Sequence, residues 1–408
     1  MKPKVLHLLS QRPLLTGSGV SLDALVRCAT EAGWQQAVVV GTPRDDPHPR
    51  VGDLPPERVF PLVFGEGDLC FDLPGMSDVM PYASSRFSAL DARRLEAYRR
   101  AWRDHLSAVL ERFRPDVIHS RHVWLLSSLV KDAAPDVPVV THCHATGLRQ
   151  MDLCPHLAEE VCRGCARNDR FCVLHRGHAE ALVERLGVDR SRIRVVGTGY
   201  RDEIFHAGGR GEDGRANLVY VGKYSRAKGL EQLLDAFERL SRRRADLVLH
   251  VAGDGAGPEA EALRDRMARL APRVEMHGQL DQASLADLMR RCAVFVLPSF
   301  YEGLPLVVVE AIACGCRVVC TDLPGLREAL GPLPDGVVEL LSMPRLCGPD
   351  VPVEADLPAF VDRLGRRIEA ALDRQDASAQ SEAMTAFLER FTWRAAFERV
   401  QAVWRELL

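Results

Sequence analysis

The 408-residue sequence lacks any long apolar run. Stretches such as Val307-Val308-Val309 and Leu125-Leu126 fall far short of the roughly 18 residues that a membrane-spanning helix requires. It also lacks a charge excess: 53 Lys and Arg stand against 56 Asp and Glu, a formal charge of −3. A protein that grips nucleic acid through its phosphates carries a strongly basic surplus, so nucleic acid is not an expected partner. No secretion leader is expected either. Lys2, Pro3 and Lys4 open onto Val5–Leu9, and Gln11-Arg12-Pro13 ends the run, which reads as a first strand of a cytoplasmic protein. No short-period repeat is present, excluding solenoids and propellers. What remains is an ordinary folded balance, 47% apolar and 27% charged, at a length that predicts two domains.

Cysteine is not scarce, but the 12 residues are spread along a large chain and most sit in apolar surroundings, where cysteine acts as a small hydrophobe. One cluster stands apart: Cys154, Cys162, Cys165 and Cys172, with His156 nearby. A zinc site is one reading of it. The irregular outer spacings do not match paired C-x2-C knuckles, and buried or idle thiols are the favoured reading.

Short β-branched runs alternate with helical patterns along the chain, which predicts parallel sheets. In the first half, strands are expected near Val5–Leu9, Ala37–Val40, Asp116–His119, Val137–Thr141, Phe171–Leu174 and Ile193–Val196. The longest helix, Ala89 to Phe113, aligns Leu95, Tyr98, Trp102, Leu106, Val109 and Phe113 on one stripe. The segment from about Gly41 to Met80 is rich in Pro, Gly and Asp, and reads as a long loop that could wall an acceptor site. Four glycines in Ala207–Gly214 mark a linker, placed at 207–216. Alternation then restarts with strands Leu218–Val221, Leu247–Ala252, Arg273–His277, Val294–Leu297 and Arg317–Cys320. After Asp350 the pattern is helical. The expectation is an α/β chain of two doubly wound, Rossmann-like domains, 1–206 (joined by the terminal helix 392–408) and 217–391. A ligand cleft is expected at the carboxyl ends of both sheets.

Two clusters carry chemistry. In Ser299–Ala311 a strand ends at Pro298, a loop holds Glu302, and Pro305 opens a helix that Gly315 ends. Unpaired N–H groups and the helix dipole make that start an anion site. Glu310, two turns in, leans back toward it. One carboxylate beside an anion and another able to accept from a diol together describe a nucleotide, although two solvated glutamates are the simpler reading of the pair alone. The second cluster, Gly222-Lys223-Tyr224-Ser225-Arg226-Ala227-Lys228-Gly229, places two lysines around a strand-to-helix turn, each a point charge for phosphate.

Together these residues resemble glycosyltransferase family 4, retaining nucleotide-sugar enzymes of GT-B fold. Gly222, Lys223, Lys228 and Gly229 match the family's G-[RK]-x(4)-K-G element, and Glu302 and Glu310 its E-x(7)-E element. Gly253-Asp254-Gly255, His277-Gly278, Thr321–Gly325 with Glu328, and Phe391-Thr392-Trp393 support the match. In the first half it rests on Thr16–Gly19, Asp116–His119 and Val139–His144. The resemblance implies that Lys223 and Lys228 hold the donor diphosphate, that Glu310 takes the ribose hydroxyls and that Glu302 holds the sugar near hydroxyls 3 and 4. It further implies that the Gly303-Leu304-Pro305-Leu306-Val307 backbone meets phosphate and that His277 and Gly278 line the donor. Gly17 and Gly19 would allow close approach of the first helix, and His144 would lie near hydroxyl 6. No metal and no cofactor are implied. Departures from the family pattern are Lys223 where arginine is frequent, Ala145 after the histidine where glycine is common, and Gly199-Tyr200-Arg201-Asp202 in place of N-G-x-D. His142 is an alternative to His144.

The implied activity is retaining transfer of a sugar from a nucleotide donor, UDP-GlcNAc or UDP-glucose being the best fit, to a hydroxyl of a small acceptor. Glu66, Asp68, Asp72 and Asp78 make the first-domain loop acidic, which suits a cationic aminocyclitol. Arg93, Arg94, Arg99, Arg100 and Arg103 on the long helix suit a lipid-linked or polysaccharide acceptor at a membrane surface, although solvation alone accounts for such faces and membrane contact is not expected. Other readings are a non-catalytic nucleotide-sugar binder and a GT-B epimerase or phosphorylase.

Overall fold

A computed structural model describes the chain except for residues 1, 78–79, 210–216, 331–332, 334–335 and 375–381. It divides into two compact units, Met1–Gly199 with Trp393–Leu408, and Tyr200–Thr392.

The first unit contains β1 (Lys4–Leu9), β2 (Gln35–Pro43), β3 (Val59–Phe64), β4 (Pro74–Gly75), β5 (Ser85–Arg86), β6 (Val117–Arg121), β7 (Val139–Cys143), β8 (Arg170–Val173) and β9 (Ile193–Val195). Seven of these form one parallel sheet in the order β3-β2-β1-β6-β7-β8-β9, while β4 and β5 pair only with each other. The near-continuous apolar runs of β1 and β2 are buried because helices cover both faces of such a sheet. The helix Ala92–Phe113 begins at an Asp91 cap and buries Leu95, Tyr98, Trp102, Leu106, Val109 and Phe113, the stripe read from the sequence. The terminal helix Trp393–Arg405 belongs to this unit, with Trp404 fully buried against His7, Trp34 and His119.

The second unit contains β10 (Asn217–Val221), β11 (Val248–Ala252), β12 (Val274–Gly278), β13 (Val294–Leu297), β14 (Arg317–Thr321) and β15 (Val338–Leu341), all parallel in the order β12-β11-β10-β13-β14-β15. In both sheets a central strand pair, β1 and β6 or β10 and β13, is where the strand order reverses, the switch point at which open α/β sheets bind ligands.

Three expectations change. The Gly41–Met80 segment is not one long loop, since Val59–Phe64 adds an edge strand beside β2. Its Pro61 obscures the strand pattern yet is tolerated at an edge, where one side of the ladder is unpaired. β15, unexpected from the sequence, likewise joins the far edge. The unit boundary falls at Gly199 and not at 206, because the following segment is tied to the second unit: the Tyr200 N–H donates to Phe391 O, and the Arg290 guanidinium to the carbonyls of Ile204 and His206. Most of the expected linker, residues 210–216, lies outside the described residues, as does Asp78 of the acidic loop. No helix among the described residues is long and apolar enough to cross a membrane.

Candidate functional site

In the second unit, four loops leaving the strand ends are stitched to one another. Lys228 ends a short 3-10 turn, Arg226–Lys228, and Gly229 follows at φ +65°. A Cβ on Gly229 would fall on the Pro298 carbonyl oxygen, so only glycine lets the β10 and β13 loops close to this distance. The Phe300 N–H donates to Ala227 O at 2.8 Å, and the Lys228 ammonium pairs with Glu302 at 2.5 Å. Glu302 also accepts from the Ser299 hydroxyl at 3.0 Å. The lysine and glutamate side chains are 22% and 15% exposed, reachable by a ligand yet shielded enough for their charge to count.

Lys223 is positioned from behind. The hydroxyl of the fully buried Tyr220 donates to Lys223 O at 2.9 Å, and burial, with Glu302 adding, raises that phenol well above its usual range. The Gly222 N–H donates to Ala252 O, Tyr224 N–H to Asp254 O and Gly253 N–H to Gly278 O, so the loops after β10, β11 and β12 form one bonded ledge. His277, next to last in β12, hydrogen-bonds His250 at 3.1 Å.

The helix Leu306–Ala313 starts beside this ledge with Pro305 as its N-cap residue and no side-chain cap, which leaves its first-turn N–H groups to a ligand or to water. Gly303, Leu306 and Val307 are partly exposed there, whereas Leu304 and Pro305 are buried. Glu310 is buried on the same helix, and burial pushes its carboxyl up to about 8. At neutral pH it is therefore largely protonated, able both to donate to and to accept from a pair of hydroxyls.

In the first unit, Gly17 opens the helix Gly17–Glu31 under a Thr16 cap. The two expected glycines differ. A Cβ on Gly19 would lie 2.6 Å from Leu14 N, so Gly19 is needed by its own loop, while one on Gly17 would meet nothing within 4 Å. His144 follows β7 at the start of the helix Ala145–Leu153, stacked on His142 at 4.6 Å and 4.9 Å from His122. Burial, then His142, His122 and Arg121, hold its imidazole well below the usual range, so it is neutral and can hydrogen-bond a hydroxyl. Gly199, at the altered corner, packs against Trp393, whose ring a Cβ would meet at 2.5 Å.

Three polar residues here escaped the sequence reading: Gln11, Arg121 and His122. Arg121 is 1% exposed, and its guanidinium has no hydrogen-bond partner among the described residues. Burial lowers it to about 9. His122 takes φ +68°, uncommon for a residue with a Cβ, and its ring contacts Gln11 at 3.0 Å and Thr146 at 3.1 Å. Such strain concentrates at functional sites. The available signal was position: Ser120-Arg121-His122 stands at the carboxyl end of the strand beside β1.

The cysteine cluster does not gather as a metal site would. No three ligand atoms of Cys154, Cys162, Cys165, Cys172 and His156 converge. Cys165 donates to Trp124 O, Cys154 to Gln150, and burial pushes the Cys172 thiol up to about 12. These are buried small hydrophobes, apart from the half-buried Cys162. Of the arginines on the long helix, Arg99 binds Glu160 bidentately at 2.8 and 2.6 Å, Arg100 binds Asp68 of the acidic loop, and Arg103 reaches Glu96.

Residues 16–199 match the family model of the glycosyl transferase 4-like domain, and residues 202–339 that of the glycosyl transferases group 1. A glycogen synthase of Mycobacterium tuberculosis is 30% identical over 238 residues, 53% of this chain and 55% of that protein. The chain thus spans about half the length of that relative. D-inositol 3-phosphate glycosyltransferase 1 of Catenulispora acidiphila is 28% identical over 327 residues, 72% of each. Among solved structures, sucrose-phosphate synthase from Thermosynechococcus elongatus superposes with a TM-score of 0.73 at 19% identity, covering 100% of this chain and 99% of that one. Anabaena HepE in complex with UDP and glucose gives 0.67 at 16% identity, covering 98% and 99%.

Proposed function

We propose, from the premise that the chain belongs to the two-domain glycosyltransferases of GT-B fold, a 4-like domain followed by a group 1 domain, that it transfers a hexose from a nucleoside diphosphate sugar to a hydroxyl with retention of configuration. The observation that carries this reading is the Lys228–Glu302 pair held between two strand ends beside the uncapped start of Leu306–Ala313. A donor diphosphate takes the Lys228 ammonium and the helix N–H groups; Lys223 supplies the second cation. As the sugar leaves, charge grows on the diphosphate, and fixed cations and dipoles stabilise it without reorganising. The site therefore needs no metal in the transfer step. Glu302, freed from half of its pairing, accepts from the sugar hydroxyls, and Glu310 from the ribose diol. Gly303, Leu304, Pro305, Leu306 and Val307 line the phosphate side with Gly222, and His277 and Gly278 border the donor. In the first unit, Gly17 leaves room for a ligand at the helix start, Gly19 holds the loop that makes this room, and neutral His144 binds a sugar hydroxyl.

Retention places the acceptor hydroxyl on the face the diphosphate leaves, and the departing phosphate oxygen can take its proton, so no separate carboxylate base is required. A uridine donor, UDP-glucose or UDP-GlcNAc, is the working choice, consistent with the UDP and glucose in the HepE structure. The acceptor is taken to be a small hydroxylic molecule. The aminocyclitol version is weakened by Arg100, which already neutralises Asp68, and the lipid-surface version by the pairing of Arg99, Arg100 and Arg103.

The test is turnover of UDP-glucose and UDP-GlcNAc against an acceptor panel, followed by UDP release and the anomeric proton signal of the product. Lys228→Ala is expected to lower turnover at saturating donor about 10²–10³-fold, and the product to keep the α configuration of the donor. Near-normal turnover of the variant, or a β product, rejects the reading.

A further inference from the structure

Among the described residues, one group of metal-ligand side chains converges, and the sugar transfer proposed above uses only one of them, His277, at the border of the donor. It joins His250 on β11 with Glu275 and His277 on β12, the outermost strand of the second sheet. His250 and Glu275 are direct neighbours across the parallel ladder, so their side chains leave the same face. The register then slips, with Ala252 opposite Gly278, and His277 is left as the extra residue of a bulge. Bulges re-aim side chains, and here the imidazole comes over His250.

His250 Nδ1 lies 3.1 Å from His277 Nε2 and 3.2 Å from Glu275 Oε2, and the last two atoms are 3.9 Å apart. Three lone-pair atoms thus face one small volume. A single N–H on His250 can be directed well at only one of the other two, whereas one cation between them satisfies all three. The spacing suits this: a tetrahedral centre with bonds of about 2.05 Å has edges of about 3.3 Å. Two imidazoles and one carboxylate select zinc-like ions over magnesium or calcium, which prefer all-oxygen sets. Glu275 is exposed, which gives entry to an ion and leaves a fourth position for water.

We propose that His250, Glu275 and His277 form a binding site for a divalent transition-metal ion of the zinc class, which clamps the edge strand β12 to β11. The proposal concerns binding and does not depend on the transfer activity.

The test uses the full chain without any affinity tag, stripped by chelator and titrated with Co²⁺ while the visible spectrum is recorded. Wild type is expected to take up one equivalent with the bands of a four-coordinate centre, and Zn²⁺ to displace it. Glu275→Gln and His250→Gln are expected to weaken uptake by about tenfold or more, with folding checked by circular dichroism. His48→Gln, at an exposed histidine elsewhere, should change nothing. Should the buried His250 variant fail to fold, the exposed Glu275 variant decides alone. Absence of stoichiometric uptake by wild type, or uptake undiminished in Glu275→Gln, overturns the proposal.

Discussion

In the first unit the carboxyl ends of β6 and β7 carry Arg121, His122, His142 and His144, three imidazoles and one guanidinium with no carboxylate among them. In the second, the ends of β10 and β13 lead into Lys223, Lys228 and Glu302, a pairing of cations with a carboxylate. The sheets are built alike, each parallel and each with its switch point at the first strand. The difference shows that the fold supplies position while a handful of residues at the strand ends supplies chemistry. It also gives the two units opposite responses to pH. His7, His122, His142 and His178 are each lowered to about 3, burial being the first cause, so they fold neutral. Glu310 is raised to about 8 by burial, so it too folds neutral, but from the other side of its titration.

The comparison breaks most visibly in acid. Each buried imidazole has a folded value below its unfolded value near 6.5, so its contribution is intact above that pH and is lost as pH falls toward 3. At pH 5 the loss is roughly 2 kcal/mol per group. Scanning calorimetry from pH 7 to 5 should lower the melting of the first unit far more than that of the second. Equal shifts of both would contradict the assignment of the burden to these histidines.

Next in size are the glycines. Gly229→Ala, with φ +65° and the Pro298 carbonyl in the way, should cost about 3 kcal/mol. Gly17→Ala has open space at a helix start and should change stability by less than about 0.5 kcal/mol. If it nonetheless lowers donor turnover, the open space at Gly17 serves a ligand. Denaturant midpoints and initial rates on the two variants sort these outcomes.

Glu310 acts on stability through pH alone. Its folded value lies above the unfolded one near 4.5, so stability is greatest below that pH and falls as pH rises toward about 8. Between pH 6 and 8 the decline amounts to roughly 2 kcal/mol, and Glu310→Gln should remove it while raising the donor KM. A variant with an unchanged pH slope would show that the carboxyl is solvated.

The two halves also differed in how much could be read in advance. The second-unit candidate cluster could be picked out because most of its residues lie in two short segments, 222–229 and 302–310, whose glycines, prolines and charges sit at fixed offsets from a strand end. The first-unit polar cluster comes from single residues after different strands, Gln11, Arg121, His122 and His144, and no local pattern joins them. Only pairing of β1, β6 and β7 does. The strands of the two large sheets followed from apolar runs except at two of the four edges, β3 and β15. Pro61 interrupts β3, and Glu339, paired with Arg367 and Arg374, interrupts β15; edge strands accept residues that a central strand rejects. The His250–His277 approach rests on a register slip that sequence does not encode visibly.

The central claim is that the second unit grips a nucleoside diphosphate sugar through Lys228. Thermal shift of wild type and Lys228→Ala with a panel of nucleotides and nucleotide sugars tests it most directly. A ligand at 100 times its dissociation constant stabilises by about 2.7 kcal/mol, so one uridine diphosphate sugar should raise the melting temperature of wild type by several degrees and that of the variant by much less. No shift with any member of the panel, or the same shift in both proteins, would contradict the account.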